Sequence, residues 1–497
     1  MGELYTCAEQ VLVWLGPAGY DSDLVCDLLP ELTTRLWTVE EERGWGFPAS
    51  MNEIEALRLP APEDKLWRSI TALYARDWFQ RLWVVQEVVL AQSVVFLCGR
   101  RRVAWEAVAD YAWLTTKSGL LEAVAGLHER AMSSGLQNRS VDGIRMINDS
   151  RQLRAGLGDP ERALDGLDMA LGLMQNQGAA VKVDHVYAVL GMLPEELEME
   201  VVVDYSEETK ENYGLVHAAF FRQCLERLAD WPSHQFPGGG RTGNVPSWCP
   251  FWGSGSDPAT VARVGCHAGR PTTTSSLQSF NSPWPATAKE DGILRIAGIA
   301  ADTVRDVIDL DQAQEGDPAE VIKVLKTFAA YTPEGVDGPE RLLGVLVGAC
   351  GWVDTPIFSG APQGHLLDLL FEFLESVLAY DKEHKDRAGY IPINLGLSDY
   401  LLDKPGFWRR YLNRVMTQWW DRCFAVTEHG RVALVPRDTK PGDTVCVFLG
   451  ATLPQVISRH EDGVQWTYIG PAAVDGLVKG EVFVDGWEDK KEMFCLR

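Results

Sequence analysis

The feature that most constrains the fold of this chain is the stretch Asp77–Arg100, which reads DWFQRLWVVQEVVLAQSVVFLCGR. Asp77 and Gln80 make up a variant of the capping box, which predicts that a helix begins here. Apolar residues then recur at the spacing of one helical face, at Leu82, Val85 and Val89. The run Ser93–Cys98 is apolar and rich in valine, and it predicts a buried strand directly after the helix.

Glu87 is the one acidic residue between Asp77 and Glu106. It follows Trp83 by four residues, so both side chains are expected on the same side of the helix. A lone carboxylate on so apolar a helix lies either at the solvent-exposed edge of the helix or in a pocket that raises the pKa of the carboxylate. The first reading gives a structural glutamate paired with an arginine or a backbone donor, and the second gives a candidate catalytic group.

The N-terminal part of the chain alternates strand and helix signals. The apolar run Gln10–Leu15 ends at a Gly-Pro pair and predicts a strand, and helices are predicted over Asp21–Leu36 and Glu63–Ala75. With the central helix and the strand that follows it, this order is typical of an α/β fold. We therefore predict a parallel sheet with flanking helices.

The rest of the chain divides by composition and periodicity. A mostly helical middle is followed by a linker rich in Ser, Thr, Gly and Pro, then by a mixed α/β region, and finally by short strands of period two. His429-Gly430 and Asp462-Gly463 stand where hairpin turns are expected in this last, β-rich module. The predicted regions are 1–115, 116–252, 253–290, 291–422 and 423–497.

The composition argues against several classes of partner. The chain has 497 residues, with 46 Lys and Arg against 70 Asp and Glu and a formal net charge of −24. Binding to nucleic acid or to an anionic membrane surface needs concentrated positive charge, so neither partner is expected. The ten cysteines include no C-x-x-C pair, and the nine histidines show no H-x-x-x-H spacing. We therefore expect reduced cysteines, no metal site and a cytoplasmic location.

Three sequence blocks, in order, resemble the fungal heterokaryon-incompatibility (HET) domain. They are YTCAEQVLVWLGP at 5–17, RDWFQRLWVVQEVVLA at 76–91 and FLCGRRRVAWEAV at 96–108. Weaker family signatures follow, such as DHVYAVLGM at 184–192 and VPSWCPFW at 245–252. The region 1–115 is therefore identified as a partial HET domain.

One departure from the family concerns the front of the domain. HET domains usually open with a strand reading roughly Y-x-A-L-S-Y-x-W-G and a W-I-D-A-x-C-I-N-Q block, and neither is present before the first matching block. The resemblance thus implies a domain truncated at its N-terminus. One expectation is that this form is an inactive fragment.

The resemblance also implies a chemistry. HET domains are similar to Toll/interleukin-receptor (TIR) domains, whose enzymatic members cleave the nicotinamide–ribose bond of NAD with a glutamate in a W-C-x-x-E pattern. Trp83 and Glu87 reproduce that spacing in WVVQE. This implies Glu87 as the catalytic carboxylate, Trp83 as a supporting residue, and NAD as a substrate with no bound cofactor. Arg76 and Arg81 stand near the predicted helix start and are candidates for binding a phosphate, or they pair with local acids.

By this resemblance, the chain acts in non-self recognition that ends in programmed cell death. Two mechanisms stay open, an NAD-consuming enzyme and a signalling module that works by self-association. The expected partners are a second copy of the chain or another incompatibility protein.

Overall fold

The structure is a computed structural model, and the chain divides into two units that are described separately. The N-terminal unit contains residues 1–216, 252–257 and 402–406, and the C-terminal unit contains 217–251, 258–401 and 407–497. The structure describes residues 2–43, 59–60, 64–118, 134–155, 166–167, 169–174, 177–193, 197, 199–228, 245–250, 252, 287–288, 292–310, 317–329, 343–345, 366–384, 411–412, 415, 419 and 422–497.

The described elements of the N-terminal unit are helices around a small sheet. A 3-10 turn covers Asp77–Gln80. The strands are β1 (Val11–Trp14), β2 (Val94–Cys98) and β3 (Arg101–Ala104). The helices are α1 (Gly2–Cys7), α2 (Ser22–Arg43), α3 (Lys65–Tyr74), α4 (Val84–Val89), α5 (Trp105–Ser118), α6 (Ser134–Ala155), α7 (Asp184–Leu190) and α8 (Glu207–Glu211); helix α9 (Tyr213–Leu228) follows.

The sheet of this unit has the order β1-β2-β3. Strands β1 and β2 are parallel, with Val13 opposite Phe96. Strands β2 and β3 form an antiparallel hairpin around Gly99, whose φ of 56° suits a tight turn. The prediction of strands and flanking helices is confirmed, but only one of the two strand pairings is parallel. The TIR-like sheet therefore stays a prediction.

Aromatic side chains form the centre of this unit. Trp78 contacts Phe79 and Phe96 edge to face, with ring centroids 5.2 and 5.0 Å apart. Phe96 in turn lies 6.0 Å from Trp105, and Tyr74 stacks on Phe79 at 5.2 Å. Such offset and edge-to-face contacts add to the stabilisation from burial alone. The cluster joins the 3-10 turn to β2, α3 and α5.

A closed barrel dominates the C-terminal unit. Its strands are β5 (Leu294–Asp309), β8 (Thr444–Phe448), β9 (Gln455–Arg459), β10 (Trp466–Pro471) and β12 (Lys491–Leu496). Pairing runs β5-β12-β10-β9-β8 and closes because β8 also pairs with β5. The β-rich C-terminal module is therefore confirmed as a five-stranded barrel, and closure leaves none of its own strands as an open edge. One of its strands, β5, lies far upstream of the predicted module.

Strand β5 also carries a second layer of strands. Its C-terminal half pairs with β6 (Arg422–Thr427), which pairs with β7 (Val432–Pro436) and then β11 (Ala473–Val474), and a short β4 (Thr287–Ala288) pairs with its start. Both predicted hairpin turns are present, since Gly430 and Gly463 have φ of 75° and 69°. Helices α10 (Pro318–Ala329) and α11 (Leu366–His384) share a hydrophobic core with this layer through Trp419 and Phe424.

Gly298 lies where the barrel closes. It is opposite Phe448 on β8 and opposite Glu492 on β12. A Cβ atom at this position would lie 2.8 Å from the carbonyl oxygen of Val447, and 3.1 Å from ring atoms of Phe448 and Phe494. The absence of a side chain is therefore required for β5 to pack between its two neighbours.

In the part of the chain that the structure describes, we find no helix with the length and apolarity needed to cross a membrane.

Candidate functional site

The candidate site is built on two short helical pieces rather than on one long helix. The sequence predicts a helix that begins at Asp77 and continues through Val89, and this is wrong in its middle. The 3-10 turn ends at Gln80, and α4 begins at Val84. Between them Arg81 pairs with Gly178: the amide of Gly178 donates to Gln80 O at 2.7 Å, and the amide of Leu82 donates to Gly178 O at 2.8 Å. The strand-like bridge replaces the helical hydrogen bonds at this point.

The end of α4 is fixed from another helix. Arg151 of α6 donates to the carbonyl oxygens of Val88, Ala91 and Gln92, the last two at 2.6 and 2.9 Å. These carbonyls have no helical partner where the helix ends, so a guanidinium group satisfies them. Gln86 is buried and donates to Ala188 O of α7 at 2.8 Å. The short helix is thus anchored by its tertiary contacts, not by its own length.

Glu87 lies on the one partly exposed side of α4, whose other five residues are buried. Its Oε2 accepts a hydrogen bond from Trp78 Nε1 at 3.1 Å. Trp78 is 7% exposed, and its ring is fixed by the aromatic cluster. A donor held this rigidly sets the orientation of the Glu87 carboxylate.

Tyr5 of α1 is a third member of the site. Burial raises the pKa of Tyr5, the negative charge of Glu87 raises it further, and the positive charge of Arg81 lowers it. These charge effects mean that Tyr5 stands within electrostatic range of both residues. Helix α1 contacts α4, and Gly2 lies against Leu90. The side chains of Tyr5, Glu87 and Arg81 therefore belong to one surface region.

The structure brings Trp83 and Arg81 to this region and directs Arg76 elsewhere. Trp83 is half-buried at the N-cap of α4, one helical turn before Glu87. Arg81 is exposed. Arg76 Nη1 donates to Leu15 O at 2.7 Å and to Pro17 O at 3.0 Å, so it holds the segment that follows β1. This favours a structural role for Arg76, while its predicted role in phosphate binding stays a prediction.

His185 follows Asp184, and its environment is that of a core residue. It is fully buried, its Nδ1 lies 3.1 Å from Met174 O, and burial lowers its pKa to about 4. Asp184 accepts a hydrogen bond from Tyr205 Oη at 2.7 Å. Among the residues that the structure describes, no group of three or more His, Cys, Asp or Glu side chains is placed to hold a metal ion.

Two family models match this chain, one at each end. The heterokaryon incompatibility protein (HET) family matches residues 1–87, and the Het-6 beta-barrel domain matches residues 408–496. A similar protein is "Heterokaryon incompatibility protein 6, OR allele" of Neurospora crassa (strain 74-OR23-1A), which is 23% identical over 550 aligned residues that cover 97% of this chain and 78% of the relative. The chain is a HET-domain protein. No solved structure matches it.

The HET segment of this HET-domain protein contains all of the sequence-predicted site residues. Glu87 is its last matched residue, and Trp83, Arg81 and Arg76 precede it. Sequence reasoning missed Tyr5 as part of the site, although Tyr5 opens the first block that resembles the family. Tyr5 lies 71 residues before Arg76, the nearest candidate in the sequence, so it gives no local signal; α1 reaches α4 only through the tertiary fold.

The barrel of this HET-domain protein contains a second polar cluster that sequence reasoning also missed. The side chain of Asp302 on β5 is fully buried, and its Oδ1 lies 2.8 Å from His429 Nδ1. Burial pushes the pKa of Asp302 upward, but hydrogen bonds from His429, Thr427 and the amide of Thr303 outweigh it, so the pKa is lowered. Arg431 lies 3.4 Å from the other oxygen. The cluster ties the β6–β7 hairpin to β5.

Proposed function

We propose that this HET-domain protein acts in fungal heterokaryon incompatibility and that its action ends in programmed cell death. The observation that carries the proposal is the similarity to heterokaryon incompatibility protein 6 along 97% of the chain, with a HET match at one end and a Het-6 barrel match at the other. A chain that kept only one of these segments would give weaker support. The test is genetic: deletion of the gene in one of two incompatible strains should abolish the incompatible reaction, and survival of that reaction would refute the proposal.

For the chemical output, we propose that Glu87 promotes cleavage of NAD. In this reaction the C–N bond between nicotinamide and ribose breaks, water adds to the ribose carbon, and the products are nicotinamide, ADP-ribose and one proton. A carboxylate stabilises the positive charge that develops on the ribose ring, by the logic of glycoside hydrolysis. The support is geometric, since Trp78 holds the Glu87 carboxylate at 3.1 Å on the partly exposed side of α4.

The role of the surrounding residues follows from their chemistry. The Trp83 ring, one turn before Glu87, presents an apolar face on which an aromatic base can stack. The exposed guanidinium of Arg81 is suited to a phosphate of the dinucleotide. Tyr5 supplies a hydroxyl within electrostatic range of both charged groups. These assignments are proposals, and each depends on Glu87 being the reactive centre.

The experiment compares NAD consumption by the purified chain with that of two variants. Glu87→Gln removes the charge with little change in size, and we expect turnover to fall by about 100-fold or more. Glu461→Gln makes the same change at an exposed acid in the β9–β10 turn, and we expect it to behave as wild type. Equal turnover by wild type and Glu87→Gln, or none by wild type, would refute the enzymatic proposal.

A second candidate, a signalling module that works by self-association, is favoured by a different observation. Among the strands that the structure describes, β1 is an edge of its sheet, and it exposes Leu12 and Trp14 by 56% and 58%. Edge strands with exposed apolar side chains pair readily with other chains. This candidate needs no turnover, so an inactive wild type that still triggers the incompatible reaction would favour it over the enzyme.

A further inference from the structure

The backbone of β1 offers an unused row of hydrogen-bonding groups. The amides of Val11 and Leu15 donate to Ser93 O and Leu97 O, both at 2.8 Å, so the odd-numbered residues of β1 face β2. The N–H and C=O groups of Leu12 and Trp14 therefore point to the opposite edge, because successive residues of a strand alternate in direction. Within the described part of the chain, no hydrogen bond reaches the backbone of these two residues across that edge.

The side chains on this edge are apolar, in contrast to those on the other edge of the same sheet. Leu12 and Trp14 lie on one face and are more than half exposed, while Val13 between them is 2% exposed. The opposite edge strand, β3, carries exposed Arg101 and Arg102. Charged residues are a usual protection against unwanted strand pairing, so β3 is protected and β1 is not.

We propose that β1 pairs antiparallel with β1 of a second copy of this chain, about a two-fold axis at Val13. In this register Leu12 of one copy lies opposite Trp14 of the other, and the same pair recurs on the other side of the axis. The outward N–H and C=O groups of these residues then form two doubly hydrogen-bonded pairs. One three-stranded sheet becomes half of a six-stranded one.

The side chains fit the same register. Directly opposite residues in an antiparallel pair have Cβ atoms about 4.5–5.5 Å apart, which places each Leu12 against a Trp14 ring, and such pairs of aliphatic and aromatic residues stabilise sheets. Two-fold symmetry makes both contacts equivalent. The apolar surface that each copy exposes is thus covered by the same surface of the other.

The charges at the ends of the strand are also complementary. Antiparallel pairing brings the N-terminal end of one β1, which the exposed Glu9 precedes by two residues, near the C-terminal end of the other β1. Arg76 donates to Pro17 O at 3.0 Å, so its positive charge lies at that end of the strand. An acid at one end and a base at the other end favour the antiparallel arrangement of two identical strands over the parallel one. A second copy therefore matches this edge in hydrogen bonding, apolar contact and charge.

This inference deepens the self-association candidate by naming its surface, and its test depends neither on NAD turnover nor on incompatibility. The pairing involves one short strand from each copy, so we expect a weak dimer, with a dissociation constant on the order of micromolar. Sedimentation velocity of the full chain over a range of concentrations should show a monomer–dimer equilibrium. A wild-type chain that stays monomeric up to hundreds of micromolar would overturn the proposal.

Charges introduced at positions 12 and 14 test the register. The double variant L12K/W14K places lysines opposite lysines, and L12E/W14E places glutamates opposite glutamates, so each alone should associate at least about tenfold more weakly than wild type. An equimolar mixture of the two should form a heterodimer, because every lysine then faces a glutamate. The control Val464→Lys changes a 70% exposed valine of the β9–β10 turn and should dimerise as wild type. Unchanged association of L12K/W14K, or a mixture that stays monomeric, would contradict the register.

Leu12→Pro blocks the edge by another route. Proline removes the outward N–H of position 12, while the amides of Val11 and Leu15 that pair with β2 are kept. Proline is tolerated on an edge strand whose N–H faces solvent, so this variant should fold, as circular dichroism can verify. We expect it to be monomeric. A folded Leu12→Pro chain that dimerises as wild type would show that β1 is not the interface.

Discussion

Arg76→Ala distinguishes the structural role of this arginine from a role in phosphate binding. Arg76 Nη1 makes two hydrogen bonds, to Leu15 O at 2.7 Å and to Pro17 O at 3.0 Å. A hydrogen bond to a charged group contributes about 1.5–3 kcal/mol when it is buried. Here the first bond is partly buried and the second is exposed, so we assign about 1 kcal/mol to the first and about 0.5 kcal/mol to the second. The free energy of unfolding of the N-terminal unit should therefore fall by about 1.5 kcal/mol.

The assay is thermal unfolding, followed by tryptophan fluorescence and calorimetry. For a unit of this size, a loss of about 1.5 kcal/mol lowers the transition temperature by roughly 3–6 °C. Arg100→Ala is the matched control, since it removes the same charge from an exposed turn between β2 and β3 and should shift the transition by less than a third of that amount. Equal transitions for Arg76→Ala and wild type would refute the structural argument, and loss of phosphate-ligand binding without destabilisation would support the binding role.

Two further predictions concern the barrel. Because hydrogen bonding lowers the folded pKa of Asp302, this group stabilises the fold above its unfolded pKa of about 3.9, and the contribution is lost as the pH falls through the lower folded value. Asp302→Asn should therefore be less stable than wild type at pH 7 in urea unfolding, and the difference should narrow below about pH 4; a difference independent of pH would contradict this. Gly298→Ala places a methyl group 2.8 Å from a backbone oxygen and should destabilise the barrel by about 1–3 kcal/mol, whereas Gly19→Ala, with open space around it, should be neutral in the same urea titration.

Local sequence patterns predict two of the three described strands of the N-terminal unit to within a residue, but they miss β3 (Arg101–Ala104). The predicted runs Gln10–Leu15 and Ser93–Cys98 contain β1 and β2. A run of β-branched and apolar residues between turn signals is sufficient to indicate a strand. The same holds for the two hairpin turns at Gly430 and Gly463, where a positive φ suits glycine. Features whose cause lies within a few residues of the chain were predictable.

Features that depend on distant residues were not predictable. The predicted helix from Asp77 to Val89 is broken at Arg81 because this residue pairs with Gly178, and no sequence pattern around Arg81 predicts the break. The sequence predicts a mixed α/β region over 291–422, but it does not show that β5, within this region, closes a barrel with β8 and β12. Tyr5 joined the site for the same reason. In each case the partner is separated by many residues, so local periodicity carries no information about it.

The dependence of the site on Gly178 and Arg151 bears on how segments of this chain can be exchanged with those of a relative. The matched HET segment ends at Glu87, before β2, the strand with which β1 pairs. A chimera with its junction directly after Glu87 would combine β1 from one parent with β2, Arg151 and Gly178 from the other, and any mismatch would appear as misfolding instead of altered function. Junctions placed after α7, at Leu190, keep these contacts within one parent. Differences in function between such chimeras then reflect the exchanged residues and not misfolding.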